Sequence, residues 1–220
     1  MSLSSDDNDL AEKPRPRRTR GPGKIDGEAT FPANRERVIR IAAALFARNG
    51  YHATGVAELC EATELSRGSL YYYIDGKETL LYEICKTQVV LMNRRAAEIM
   101  AMQADPDTKL RLLARSLLKN IADHLDDWAV FFKEFGNLED KRRAEIMQAR
   151  DRYEAYWVEV ISQREPAPSG SLTPALMVKG LLGMFNYAYL WFRPGGRLAP
   201  EQVAEEFIDV VLDGLRPRTG

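Results

Sequence analysis

The chain has 220 residues, 45% of them hydrophobic, which suits one or two globular domains; its formal net charge of −1 gives the whole molecule no pull towards nucleic acid. Cys60 and Cys85 are too few for a disulfide framework and read as reduced thiols, and the longest nearly apolar run, 180–192, falls short of the roughly 20 residues that cross a bilayer. The start of the chain is acidic and polar, unlike a secretory leader, so the expectation is a cytoplasmic protein with no membrane partner.

Charge is unevenly spread at the N-terminus. Residues 1–12 carry Asp6, Asp7, Asp9 and Glu12, whereas 13–24, "KPRPRRTRGPGK", hold Arg15, Arg17, Arg18 and Arg20 between two lysines and no acid. With almost no apolar content, 1–30 cannot offset its ordering entropy and reads as a disordered tail bearing a basic arm.

Asn34 is placed to cap a first helix whose apolar side is Val38, Ile41, Ala42, Leu45 and Phe46, with Gly50 ending it. Thr54 is an N-cap for a short second helix that turns Val56, Leu59 and Cys60 inward, and Ser66 caps a third over 67–73. The apolar period restarts between the two, so the chain turns there: 31–85 reads as a three-helix unit built on a helix-turn-helix.

Asp75 and Glu78 have capping-box spacing and open a long helix to about Met102, which Pro106 stops. Helices then follow over about 107–125 and from Asp127 to about Arg164, the second interrupted near Gly136 and Asn137. "EPAPSGS" (165–171) is a loop, Thr173-Pro174 begins a helix running to Phe192, and Pro200 begins the last one, with a face of Val203, Phe207, Val210, Val211 and Leu215. No stretch alternates with period two. The expected fold is all-α, with 86–220 a second, larger helical domain.

The stretch 66–81, "SRGSLYYYIDGKETLL", carries the chemistry. If Leu70 and Ile74 anchor its helix, then Arg67, Gly68, Ser69, Tyr71, Tyr72 and Tyr73 face outward. Gly68 removes bulk where a backbone must come close, Arg67 can donate bidentately to guanine, and Ser69 can reach a base edge or a phosphate. Tyrosine phenols donate to phosphate oxygens, and Lys77 adds a cation at the next helix start. These are the parts of a major-groove reader, and the basic arm with Arg17, Arg18 and Arg20 is placed to enter an adjacent minor groove.

Residues 34–85, most specifically "LYYYI" followed by Lys77-Glu78, resemble the DNA-binding domain of TetR-family transcriptional regulators. The resemblance implies base reading by Arg67, Ser69 and Tyr72, and phosphate contact by Tyr71, Tyr73, Lys77 and Thr54. Two positions depart from the family pattern: Glu64 stands in the turn where Gly is usual, and Tyr73 where His is common. A non-glycine residue at positive φ costs on the order of 1 kcal/mol, so the turn is either strained or locally different.

The same resemblance implies that 86–220 senses a ligand and forms a homodimer. The helix "TPALMVKGLLGMFNYAYLWF" is apolar nearly all round and must be buried on several sides; Gly180 and Gly183 allow close approach, and the last helix supplies Val203, Phe207, Val210 and Val211 to a four-helix interface. Large rings beside amide and hydroxyl groups suit an apolar pocket: Trp128, Phe131, Phe132, Phe135, Met147, Tyr153 and Trp157 on one side, with Met184, Asn186, Tyr187, Tyr189 and Trp191 opposite. The C-terminal segment looks closest to the subgroup that responds to acyl-CoA thioesters, and Arg142, Arg143 and Arg150 are candidates for coenzyme phosphates.

An enzyme finds little support. The two histidines, His52 and His124, lack nucleophile or acid partners in pattern, and no His/Cys ligand set or Gly-rich phosphate loop is present, so no cofactor is expected. A helix-turn-helix adaptor without DNA binding is the other non-enzymatic alternative.

Overall fold

Helix α1 (Phe31–Asn49) starts earlier than the Asn34 cap read from the sequence, because a proline, here Pro32, is tolerated in a first turn. Asn34 is buried inside the helix instead. The computed structural model describes residues 31–164 and 173–214, and all regular structure among them is helical. The tail with its basic arm, the loop at 165–171 and Leu215 lie outside the described residues.

Gly50 (φ +87°) ends α1 in the left-handed region, as its position implies. α2 (Val56–Thr63) follows, capped by Gly55 rather than Thr54. The turn after α2 is a Schellman closure, the amide of Leu65 on the Cys60 carbonyl (3.0 Å) and that of Glu64 on Glu61 (3.1 Å). Glu64 takes φ 59°, the one positive φ among the described non-glycine residues, so the turn keeps its geometry and carries the strain. Ser66 caps α3 (Arg67–Tyr73), accepting from the Ser69 amide at 3.1 Å.

α4 (Lys77–Met100) begins after Gly76 with no side-chain cap, so Asp75 and Glu78 do not form the expected box. α5 (Pro106–Asp123) is capped by Asp105, whose carboxylate accepts from the Thr108 amide at 2.9 Å. α6 (Leu125–Glu134) passes through a 3₁₀ turn (Phe135–Asn137) to α7 (Asp140–Ser162), the interruption the glycine and asparagine implied. The helix expected to run to Phe192 breaks at Tyr187 into α8 (Pro174–Asn186) and α9 (Ala188–Trp191); the break turns Ala188 fully inward and leaves Tyr187 62% exposed. α10 (Pro200–Gly214) completes the chain's described helices.

α4 is central. α1, α5, α6 and α7 all pack on it, and α1 also rests on α6. Buried side chains form one continuous cluster from Val38 to Leu212, and the boundary drawn at residue 85 falls inside α4, which both units share. α10 lies on α5, where Glu205 takes Arg111 and Arg115 at 2.5 Å each.

Candidate nucleic-acid interface and effector cavity

The helix-turn-helix core is closed by Val38, Phe46, Leu59 and Leu70, each no more than 1% exposed, with Ile74 beneath. This fixes which faces of α3 remain open. Arg67, Gly68, Tyr71 and Tyr72 point outward, the two phenols 40% and 56% exposed. The Arg67 guanidinium lies 5.8 Å over the Tyr71 ring, which pre-orients it. Nothing lies within 4 Å of where a Gly68 Cβ would stand, so no internal packing demands glycine there. Glycine inside a helix costs about 0.5–1 kcal/mol against alanine, so this position gives up helix stability that no packing within the chain requires.

The remaining members of the expected set are placed differently. Tyr73 is 6% exposed, stacked on Phe31 at 5.1 Å, with its hydroxyl accepting from Asn34 Nδ2 at 3.4 Å. On a helix three consecutive side chains point about 100° apart, so one of three tyrosines must turn inward. Ser69 is also buried, its hydroxyl 2.9 Å from that of Ser66. Thr54 is fully buried and donates to the Gly50 carbonyl at 2.9 Å. The Lys77 ammonium is held by the carbonyls of Tyr51 (2.6 Å) and Thr54 (2.9 Å), not presented to solvent beside free amides. Phe31, absent from the sequence-derived set, supports the face by meeting Tyr72 edge-on at 5.2 Å; its one signal was an aromatic in an otherwise polar stretch.

Between α4, α5, α6, α7 and α8 lies a cavity of about 280 Å³. Trp128, Phe131 and Phe132 of α6 form one wall, with Tyr153 of α7 and Asn186 of α8 facing it and Met147 of α7, 38% exposed, at its mouth. The Trp128 indole is fixed by donating to Asn120 Oδ1 at 2.8 Å. Burial pushes the Tyr153 phenol up, so it stays neutral. Val89, Met92, Leu117 and Leu182 add to the apolar lining; their only sequence signal is helical spacing on α4, α5 and α8, shared with every core residue there.

Other expected pocket residues stand behind or outside the walls. Trp157 is wholly buried beside Phe185. Phe135 stacks on Phe131 (5.7 Å) and Tyr189 on Phe132 (5.1 Å), each buttressing the wall from outside the lining. Met184, Tyr187 and Trp191 are 37%, 62% and 42% exposed on the surface.

The polar rim consists of Arg150, Asp151, Glu154 and Lys179. Lys179 is paired with Glu154 at 2.6 Å. Arg150 has no carboxylate partner among the described residues; its guanidinium sits 5.9 Å over the Phe131 ring and 3.4 Å from the Met147 sulfur. The other two candidate arginines are engaged elsewhere, Arg142 with Glu78 and Arg143 with Asp140.

Leu176, Gly180, Gly183, Met184 and Tyr187 share one exposed stripe of α8, at helical spacing, and no atom approaches the Cβ positions of the two glycines within 4 Å. On α10, Val210 is 67% exposed, while Val203 is buried at 4% in the chain's own core and leaves the candidate interface. Phe207 and Val211 are half-buried, Phe207 against Phe185 at 5.7 Å.

Among the described residues no helix is long and apolar enough to cross a membrane, and no cluster of His, Cys, Asp and Glu is fit to hold a metal ion. Comparison with known proteins matches both halves. The family model described as "Bacterial regulatory proteins, tetR family" covers residues 38–84, and "Tetracyclin repressor-like, C-terminal domain" covers 103–215. The chain is 26% identical over 197 residues to the HTH-type transcriptional repressor KstR2 of Rhodococcus jostii, covering 88% of this chain and 97% of that one. The structure of the ketosteroid transcriptional regulator KstR2 of Mycobacterium tuberculosis superposes with a TM-score of 0.78 at 24% identity, over 89% and 100% of the two chains. AibR in complex with isovaleryl coenzyme A and operator DNA gives 0.70 at 25% identity, over 80% and 97%. Matched in its reading head and in the larger helical unit behind it, the chain belongs to the TetR family of DNA-binding transcriptional regulators, which are not enzymes.

Proposed function

We propose that the protein is a ligand-responsive repressor. It binds a near-palindromic operator as a homodimer and releases it when a small hydrophobic effector, an acyl-CoA thioester by class, fills the cavity. The observation that carries this is Arg150, a guanidinium with no carboxylate partner among the described residues, at the rim of an aromatic-walled space. At about 280 Å³ the space suits an acyl group and leaves a coenzyme's phosphates outside, where a guanidinium binds them best. The AibR complex with isovaleryl coenzyme A and operator DNA supports the class.

Arg67 and Tyr72 are the base readers, with Tyr71 on the backbone and Gly68 giving the close approach. The open stripe of α8 with Val210 is the surface for the two-fold partner, which sets the recognition helices about 34 Å apart. The basic arm with Arg17, Arg18 and Arg20 reaches the minor groove, and the protein works in the cytoplasm, where its operator is.

A thermal-shift and operator-release screen of short-chain acyl-CoAs tests the effector, since binding to the folded state raises the melting temperature. Arg150→Gln should raise the half-saturating concentration about tenfold for the coenzyme thioester, equal to about 1.4 kcal/mol, and leave binding of the corresponding neutral methyl ester unchanged. Equal loss for both would remove the anion from the account.

A further inference from the structure

The cavity and the reading head are joined by α7 as well as by α4. The first turns of α7 are fastened along the first turns of α4. Arg142 pairs with Glu78, reaches the Thr79 hydroxyl at 3.3 Å and lies 4.9 Å over the Tyr82 ring. Glu78 in turn accepts from the Glu139 amide at 3.4 Å. Tyr82, only 9% exposed, donates to Glu145 at 2.6 Å and accepts from Lys86 at 2.9 Å, and Lys86 pairs with Glu145 at 3.0 Å. Asn93 closes the seam by donating to the Ala149 carbonyl at 2.9 Å. The next residues of α7, among them Met147, Arg150 and Tyr153, are cavity wall.

We propose that this clamp carries cavity occupancy to the DNA-reading helix, with Arg142 and Glu145 as positioning residues that touch neither ligand nor operator. The inference rests on the ligand-responsive reading above. A helix advances 1.5 Å per residue and its hydrogen-bonded backbone resists stretching, so a wall pushed at Met147 moves Glu145 and Arg142 with it. Their partners Glu78, Thr79 and Tyr82 lie directly after Lys77, which locks the start of α4 to the loop between α1 and α2. The clamp ties Glu78, Thr79 and Tyr82 of α4 to α7 through specific ion pairs and hydrogen bonds, so a displacement of α7 is passed to the start of α4. Its charges are partly in water, Lys86 41% and Glu145 51% exposed, so the pair adds little stability. Coupling and stability can therefore be separated by experiment.

The test needs no knowledge of the effector. A duplex is selected from random-sequence DNA with the full-length protein, and the cavity is filled by substitution from either side: Met147→Trp on α7, or Leu182→Trp on α8. Each should weaken binding of that duplex about tenfold, a usual size for coupling between sites. In an Arg142→Met/Glu145→Gln background the loss should shrink to less than about threefold, while the change in melting temperature caused by each tryptophan stays the same in both backgrounds. The same fold loss with and without the clamp would overturn the proposal, because filling would then act by another route. Loss from neither tryptophan, in protein that melts cooperatively and remains dimeric, would overturn it too. Failure of the wild type to select any duplex would overturn the repressor reading itself, and is told apart by the absence of a starting affinity.

Discussion

The ammonium of Lys77 sits 4.3 Å from the centre of the Tyr51 ring and donates to that residue's main-chain carbonyl at 2.6 Å. This fastens the loop before α2 to the start of α4 and so sets the angle at which α3 is presented. Lys77→Met leaves the Tyr51 and Thr54 carbonyls unpaired, at a cost of about 1–3 kcal/mol, read as a lower melting midpoint. The salt dependence of DNA binding should hold its slope. A slope shallower by about 0.9 would put the ammonium on a phosphate instead.

Arg67→Ala should cost about 1–3 kcal/mol of operator affinity and relax specificity at one base pair in each half-site. Tyr71→Phe, which removes only a hydroxyl, should weaken selected and random duplexes alike by about 0.5–1.5 kcal/mol. Measured on both duplexes, a uniform loss for the arginine or a base-selective loss for the tyrosine would reverse the division of roles.

Tyr187 is 62% exposed beside Gly183 on the open stripe of α8. Tyr187→Glu would bury a carboxylate in the apolar interface we propose, so sedimentation should show monomers at concentrations where the wild type is dimeric. Operator affinity should fall with dimerisation, and the far-ultraviolet spectrum should not change. A dimer of unaltered strength would place the interface elsewhere.

Asp127 lies against α4, where its carboxylate accepts from Gln88 Nε2 at 3.1 Å and Gln88 Oε1 has no partner. Burial, more than any neighbour, raises its pKa above the ordinary 3.8, opposed by the Gln88 hydrogen bond and by His124. Cys85 nearby is pushed to about 12, first by burial and then by the Asp127 charge. The native carboxyl holds its proton to higher pH than the unfolded one. The folded state therefore binds more protons above 3.8, and stability falls as pH rises through that window. Asp127→Asn removes the buried charge and brings a donor for Gln88 Oε1, so melting at pH 7 should move up and the acid-side slope should flatten. A lower midpoint at pH 7 would mean the charge itself holds α6 in place.

Helix positions and the reading head were legible in the sequence because they rest on local physics. Apolar residues three and four apart, a serine or aspartate before a helix, and Gly50 or Pro106 at its limits act within a few residues of themselves. Ser66 caps as its position implies, and Glu64 takes the left-handed turn that Gly would have taken without strain. What the sequence left open was which of several equivalent side chains turns inward. "YYY" states only that the three rings diverge; it is the packing of α3 on α1, where Asn34 and Phe31 meet Tyr73, that puts Tyr73 in the core and leaves Tyr71 and Tyr72 outside. Lys77 looks like any cation at a helix start until the carbonyls of Tyr51 and Thr54 close on it. Trp128 and Trp157 look alike as aromatics in helices, yet one lines a cavity and the other fills solid core, because a cavity is space left by five helices together. The same holds for Arg142 and Arg150. Both lie on α7, and only the tertiary structure, by giving one of them Glu78 and the other no carboxylate among the described residues, decides which is spent in an ion pair within the protein and which is not.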